Sequence, residues 1–281
     1  MDQNTLEKTL ADLGLGAVRY YDRLGSTNDE AASWASQNAP DLALVVANEQ
    51  TSGRGRAGRT WYTHPGGSLA FSLVLHPPRG DAYLLPRLTA LGALAVCDAL
   101  RKDFSLAAQI KWPNDVLVNR SKVAGVLAEV HWTGEELSAL ILGIGINVLE
   151  SSAGNAVLDG VELPFPVTSV EAAFGHPVDR LKLLHSVLAG LIAWRPRLAA
   201  PQFLQAWEAN LAFRGEWVQM SPGQSPGKDG LPSGLEKLPP PIHEGQILGL
   251  APDGSLKLRT RSGETVTVRS GEVRLRPVGQ N

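Results

Sequence analysis

The stretch "LALVVANEQTSGRGRAGRTWYTHPGGSLAFSLVLH", Leu42 to His76, decides which architectures the chain can adopt. Leu42 to Asn48 is a short apolar run ending in polar residues, the pattern of a buried strand. Ser68 to His76 puts Leu69, Phe71, Leu73 and Leu75 on one face by alternation, a second strand. Between them, "GRGRAG" from Gly53 to Gly58 spells G-x-G-x-x-G, the dinucleotide-binding pattern. That pattern works only when its third glycine opens a helix whose free amides hold the pyrophosphate. Here Gly58 leads into "RTWYTHPGGS", where a proline, paired glycines and aromatics start no helix. A Walker loop fails as well, because Arg59-Thr60 stands where Lys-Ser/Thr is required.

What remains is a glycine-rich loop joining two strands, able to bring backbone close to a ligand while Arg54, Arg56 and Arg59 face its anionic groups. No acidic residue lies between Gln50 and Gly80, so a phosphate or carboxylate is the expected counter-charge. Two plainer readings stand beside this one: a solvated basic turn, and an RNA-binding arginine-glycine segment, although such segments are long and repetitive.

Composition narrows the setting. The chain has 281 residues, 43% hydrophobic and 19% charged, with a net charge of −2, which suits a globular protein of one large and one small domain. No basic field recruits nucleic acid or a membrane surface. The start "MDQNTLEKTLADLGLG" is neither a signal peptide nor a spanning helix, so a cytoplasmic location is expected. The single cysteine, Cys97, lies in an apolar pattern and reads as an inert buried thiol. The six histidines show no zinc spacing.

Outward from the loop, a helix is predicted from about Tyr83 to Lys102, then strands in "AQIKW" to "DVLVN", "KVAGVLAEVHW" and "LSALILGIGINV". Helices follow over Leu181 to Trp194 and in "QFLQAWEANL". From Ser221 to His243, six prolines and four glycines in 23 residues predict a flexible surface insertion. Around it, "GEWVQM" and the alternating strands beyond Glu244, with turns at Asp253-Gly254 and Ser262-Gly263, predict a small β-barrel. The fold class is therefore α+β: a mixed β-sheet domain with flanking helices over 1–212, and a C-terminal barrel over 213–281 carrying the Pro/Gly-rich insertion at 221–243.

Four further segments carry chemistry. "GSTND", Gly25 to Asp29, precedes a helical pattern and offers an N-cap or a cluster of small polar ligand groups. "KWPNDV", Lys111 to Val116, packs more functional groups between two strands than a hairpin needs. In "SKVAGVLAEV", Lys122 opens a strand and Gly125 sits inside it, where glycine marks close approach of a ligand or backbone. "GIGINV" carries Gly143 and Gly145 at alternate positions, which either clears one face or marks a bulge.

These segments in this order resemble the biotin protein ligases, also called biotin-[acetyl-CoA-carboxylase] ligases, and the likeness spans nearly the whole chain. It implies an enzyme that joins biotin to ATP as biotinyl-AMP, releasing pyrophosphate, then passes biotin to one lysine of the biotin carboxyl carrier protein of acetyl-CoA carboxylase or a related carboxylase. The resemblance assigns Ser26, Thr27, Asn28 and Gln50 to the biotin head, Gly125, Gly143 and Gly145 to the space around it, and Gly53, Arg54, Gly55, Arg56 and Lys122 to its carboxylate. Arg54, Arg56, Arg59, Trp61, Lys111, Asn114 and Asn147 fall to ATP, with Mg²⁺ bound mainly through ATP. Lys122, Arg54 and Arg56 are the expected catalytic groups, with the loop as a lid, and Asp115 orients either Lys122 or the acceptor lysine. Only about two dozen residues precede "GSTND", too few for the DNA-binding domain of some members, so no DNA and no membrane partner is expected; a homodimer stays open. The alternative in the same superfamily is a lipoate or octanoate ligase or transferase.

Overall fold

The computed structural model describes residues 1–61, 63–76, 85–133, 136–150, 157–158, 161–162, 166–222, 243–269 and 273–277. Its large sheet has seven strands: β1 (Ala17–Tyr21), β2 (Ala43–Ala47), β3 (Ser68–Leu75), β4 (Ala108–Lys111), β5 (Asp115–Val118), β6 (Ser121–Thr133) and β7 (Glu136–Asn147). They lie in the order β1-β2-β3-β7-β6-β5-β4. Only β1 and β2 run parallel, so the sheet is mixed. The "LALVVAN" and "SLAFSLVLH" runs are β2 and β3, adjacent and antiparallel, joined by the glycine and arginine loop with no α-helix. β1 and the first helix, α1 (Gln3–Thr9), had no counterpart among the predicted elements.

Alternation assigns each strand two faces. Leu44, Val46, Phe71, Leu73, Leu142 and Ile144 point to the back, into the main core with α3 (Leu85–Phe104). The predicted start of α3 at Tyr83 lies outside the described residues. Ala43, Val45, Val74 and Ile141 point to the front, where Ala31 and Trp34 of α2 (Thr27–Ser36) cover them in a second, smaller cluster. After a short α4 (Val170–Phe174) come α5 (Arg180–Trp194) and α6 (Pro201–Ala209), close to the predicted spans. The Asp179 side chain accepts from the amides of Leu181 and Lys182, which fixes where α5 begins. Cys97 is fully buried in α3, as expected, and burial pushes its thiol up to about 12. No described helix is long and apolar enough to cross a membrane.

The C-terminal unit is a five-stranded antiparallel sheet in the order β13-β12-β11-β10-β14, after two short strands, β8 (Val157–Leu158) and β9 (Val161–Glu162). Its strands are β10 (Trp217–Pro222), β11 (His243–Leu250), β12 (Leu256–Arg259), β13 (Thr265–Val268) and β14 (Val273–Pro277), so "GEWVQM" does contribute the first of them. Residues 223–242 of the predicted insertion lie outside the described residues. The two sheets are tied together at the β11–β12 turn. Trp112 of "KWPNDV", 2% exposed, donates its indole N–H to Gly254 O at 3.0 Å, and Arg87 reaches Pro252 O at 2.8 Å. Gly254 has φ +85°, and a Cβ there would come 2.6 Å from Trp207 Cζ3.

Gly254 and Gly263 share that backbone angle, yet a Cβ on Gly263 would meet nothing within 4 Å. Gly263→Ala should therefore cost about 1–2 kcal/mol through backbone strain alone. Gly254→Ala adds overpacking against Trp207 and should cost roughly 3 kcal/mol. Urea unfolding of both variants measures the difference, and equal losses would refute the role of Trp207.

Candidate functional site

The front face of the sheet is bare where it meets the N-terminus of α2. Cross-strand pairing places Ala70, Gly145, Gly125, Asp115 and Lys111 in one row running across five strands. Two residues along, Ser72, Gly143 and Leu127 form the next row. The pairing of β6 with β7 is regular through both glycines of "GIGINV", so they clear a face and do not form a bulge. The resulting cleft opens to solvent and is lined by the head of α2, the glycine and arginine loop, and the central strands.

The bulge lies instead beside Lys122. Pairing of β5 with β6 runs Asp115 to Gly125 and Val116 to Ala124, then skips to Leu117 with Lys122. In an unbroken strand, residues 122 and 125 would point to opposite faces, because their separation is odd. The extra residue turns Lys122 to the front, as bulges beside functional sites do. Its Nζ then reaches Asp115 Oδ1 at 2.6 Å, while Lys111 Nζ lies 3.6 Å from Asp115 Oδ2. Burial pushes the Asp115 carboxyl up, but Lys122 and Lys111 outweigh it and hold the group at about 2. Burial also dominates at Lys111, pulling its ammonium down to about 8 although Asp115 opposes the shift.

At the head of α2, Ser26 occupies the N-cap position with extended backbone, but its side chain makes no cap hydrogen bond. The predicted cap is replaced by a tertiary one: Gln50 Oε1 accepts from Thr27 N at 2.8 Å and from Thr27 Oγ1 at 3.0 Å. Ser26, Thr27, Asn28 and Gln50 are all buried and line the cleft. Asn28 lies against Gly143, in the space where a Cβ would stand.

The loop folds over this floor. Trp61 N donates to Gly53 O at 2.8 Å, Gly55 N to Arg59 O at 2.6 Å, and a short 3₁₀ turn spans Arg56–Gly58. A Cβ on Gly53 would collide with Trp61 O, so the close approach there needs glycine. Arg54 does not lack a protein counter-charge, as the local sequence suggested: its Nη2 lies 2.8 Å from Asp29 Oδ1 and 2.7 Å from Glu129 Oε2. Pairs this exposed contribute about 0–1 kcal/mol, so Arg54 can exchange partners at little cost. Burial lowers the pKa of Arg56, against the pull of Asp115. Trp61, expected on the nucleotide side, lies over Gly145 and Gly125, filling space expected for biotin. Its ring centre is 5.5 Å from Lys122 Nζ, and its buried indole N–H has no hydrogen-bond partner among the described residues.

Of the residues expected at the biotin, all but Gly53 line the cleft, with Lys122, Arg54 and Arg56 among them. Of those expected at ATP, Arg54, Arg56, Trp61 and Asn114 line it, whereas Arg59, Lys111 and Asn147 do not. Arg59 Nε donates to Arg56 O at 3.1 Å, and Asn147 Nδ2 to Thr168 O at 3.2 Å, so each has a backbone partner instead. Sequence reasoning missed Ser72, Asp29 and Glu129. The signals were present: Ser72 is the one hydroxyl within "LAFSLVL", and Glu129 is a charge inside an apolar strand. Among the described residues no three His, Cys, Asp or Glu side chains cluster to hold a metal. Asp115 is already taken by two ammonium groups, so the donor set does not fit a protein-held Mg²⁺.

The sequence pattern of the biotin/lipoate A/B protein ligase family matches residues 20–147. The Biotin--[acetyl-CoA-carboxylase] ligase of Paracoccus denitrificans is 39% identical over 199 residues, 69% of this chain and 80% of that protein. The Bifunctional ligase/repressor BirA of Bacillus subtilis is 39% identical over 171 residues, 60% of this chain, and the match spans 50% of that relative's length. Among solved structures, the biotin protein ligase of Aquifex aeolicus in complex with biotin and ATP superposes with a TM-score of 0.73 at 27% identity, over 93% of this chain and 99% of that one.

The lysine pair makes stability depend on pH. Lys111 titrates at about 8 in the folded chain against an ordinary 10.5, so across that window the unfolded chain binds more protons and stability rises with pH. Relative to Lys111→Met, the wild type should gain about 2–3 kcal/mol between pH 8 and 10.5. Urea midpoints of both proteins through the window measure the gain, and parallel profiles would count against a destabilised Lys111 charge.

Proposed function

The chain belongs to the biotin/lipoate A/B protein ligase family, and we propose that it is a biotin protein ligase that activates biotin with ATP and transfers it to a carrier lysine. One observation carries the reading. A Lys122 ammonium, fixed by the buried Asp115, stands at a glycine-floored cleft beside Arg54 and Arg56, facing a polar floor of Ser26, Thr27, Asn28 and Gln50. The floor suits the donors and acceptors of a cyclic urea, and the three cations suit two anions that must meet.

In the first step a biotin carboxylate oxygen attacks the α-phosphorus of ATP. The bond to the bridging oxygen of pyrophosphate breaks, and pyrophosphate leaves with that electron pair. Lys122 stabilises the charge shared by carboxylate and α-phosphate, and Arg54 and Arg56 hold the two groups together. In the second step the carrier lysine, as free amine, attacks the acyl carbon of biotinyl-AMP; an amide forms, AMP leaves, and the amine gives up one proton. No covalent intermediate with the enzyme is needed. Asp115 acts through Lys122, a role supported by their 2.6 Å contact. Asn114, on the cleft wall, remains as a phosphate contact, and Lys111 acts on the site through Asp115. The acceptor is the biotin carboxyl carrier protein of a carboxylase, and the setting is the cytoplasm.

Residues 1–212 form the biotin and ATP unit and 213–281 the small β unit. Support for that boundary comes from Ala212, whose N–H donates to Ile110 O at 2.9 Å along the edge of the large sheet, immediately before the second sheet begins.

Biotin-dependent exchange of labelled pyrophosphate into ATP tests the reading, with lipoate and octanoate as controls. Exchange with lipoate but none with biotin would overturn it. Lys122→Ala should lower the biotin-dependent rate at least about a hundredfold, with an unchanged circular dichroism spectrum. Arg56→Gly should release biotinyl-AMP, which then labels unrelated lysines; retained target selectivity in that variant would argue against a retaining loop.

A further inference from the structure

Glu129 projects from β6 to the rim of the cleft, where one of its oxygens serves two donors. Its Oε2 lies 2.7 Å from Arg54 Nη2 and 2.5 Å from Asn28 Nδ2. A carboxylate only accepts, so the amide of Asn28 must turn its nitrogen to Glu129 and its oxygen inward. That oxygen accepts from Ser72 Oγ at 2.6 Å. Ser72 Oγ also lies 2.8 Å from Thr27 Oγ1, which in turn lies 3.0 Å from Gln50 Oε1. A chain of polar contacts thus runs from the arginine loop through Glu129, Asn28, Ser72 and Thr27, and the Thr27 N–H bond at 2.8 Å joins it to Gln50 Oε1.

Donor accounting gives the chain a direction. Ser72 and Thr27 have one hydroxyl proton each, and three contacts compete for the two. With Asn28 Oδ1 facing it, Ser72 must commit its proton there. Were the amide to turn over, Nδ2 would donate to Ser72, whose proton would then be free for Thr27. Asn28 and Ser72 would exchange donor and acceptor roles at the floor.

We propose that Glu129 is a positioning residue that fixes the hydrogen-bond polarity of the cleft floor, and so decides whether the floor matches a cyclic urea with two N–H donors and one carbonyl. This rests on the reading of the cleft as a biotin site. Buried groups left facing a partner of the same polarity discriminate strongly, so the effect falls on biotin recognition. Asp29 still holds Arg54 when Glu129 is changed, which leaves the loop with an anionic partner.

The test is a charge swap read by pyrophosphate exchange. Glu129→Gln removes the charged acceptor and leaves Asn28 Nδ2 only the long 3.5 Å contact with Leu127 O, so the amide can turn over; the KM for biotin should rise about tenfold while the KM for ATP stays within about twofold. Asn28→Asp sets two carboxylates face to face and should raise the biotin KM about a hundredfold. The double variant Asn28→Asp/Glu129→Gln restores a donor facing an acceptor, keeps an acceptor toward Ser72 and conserves net charge. It should bind biotin at least about tenfold better than Asn28→Asp alone. A purely structural role for Glu129 predicts no such rescue. A wild-type biotin KM in Glu129→Gln, or a double variant no better than Asn28→Asp, overturns the proposal. A wild-type chain without biotin-dependent exchange overturns the functional reading beneath it, a separate result.

Discussion

A carboxylate withdrawn from water between two ammonium groups is the constraint on which the site depends. Lys111 and Lys122 stand on strands either side of β5, and without Asp115 between them each would face a like charge in a half-dry setting. Removing one partner of such a cluster typically costs about 3–5 kcal/mol, because the remaining charges stay buried without compensation. Asp115 thereby makes the local fold tolerable and the direction of the Lys122 ammonium definite. The same side chain therefore sets both the charge balance of the cluster and the position of the Lys122 ammonium.

Around that cluster the sheet gives up packing to leave room. A glycine inside a strand costs roughly 0.5–1 kcal/mol relative to alanine, and Gly125, Gly143 and Gly145 sit in the two central strands β6 and β7. Buried hydroxyls such as Ser72 replace apolar contacts on the same face. The back of the sheet bears the compensating load, with an unbroken apolar core under α3 and α5. What lies on the bare face comes from elsewhere in the chain: the indole of Trp61, the amide of Asn28 and the guanidinium of Arg54. These contacts are few and partly exposed, in contrast to the scaffold beneath them.

Much of this was legible in advance, for reasons that can be stated residue by residue. The alternation of Leu69, Phe71, Leu73 and Leu75 located β3 because apolar periodicity reports a buried face directly. The absence of a helix after Gly58 excluded the dinucleotide fold because that fold depends on helix amides. By contrast β1 escaped, since Ala17–Tyr21 is only half-buried along its length and lacks an alternating pattern. Ser26 met every local criterion for a helix cap, and Gln50, 24 residues later, took over the task. Trp112 sat in a motif full of site residues and proved to bind the second sheet. For Ser26 and Trp112 the deciding partner was distant in sequence.

The residue types and their order, by themselves, determined that the chain is α+β, that its glycines and arginines lie in a loop between two strands, and which polar and charged side chains were candidates for a site. Local rules suffice for that, because strand period, turn residues and charge are properties of neighbours. Only the tertiary structure decided where those side chains point. Lys122 and Gly125 are three residues apart, and regular strand geometry would have sent them to opposite faces. A single extra residue at Val123, imposed by pairing with β5, brings both to the same one. The acids that hold Arg54 are likewise supplied by α2 and β6. Register and long-range charge pairing depend on which strands become neighbours, and no stretch of sequence contains that fact.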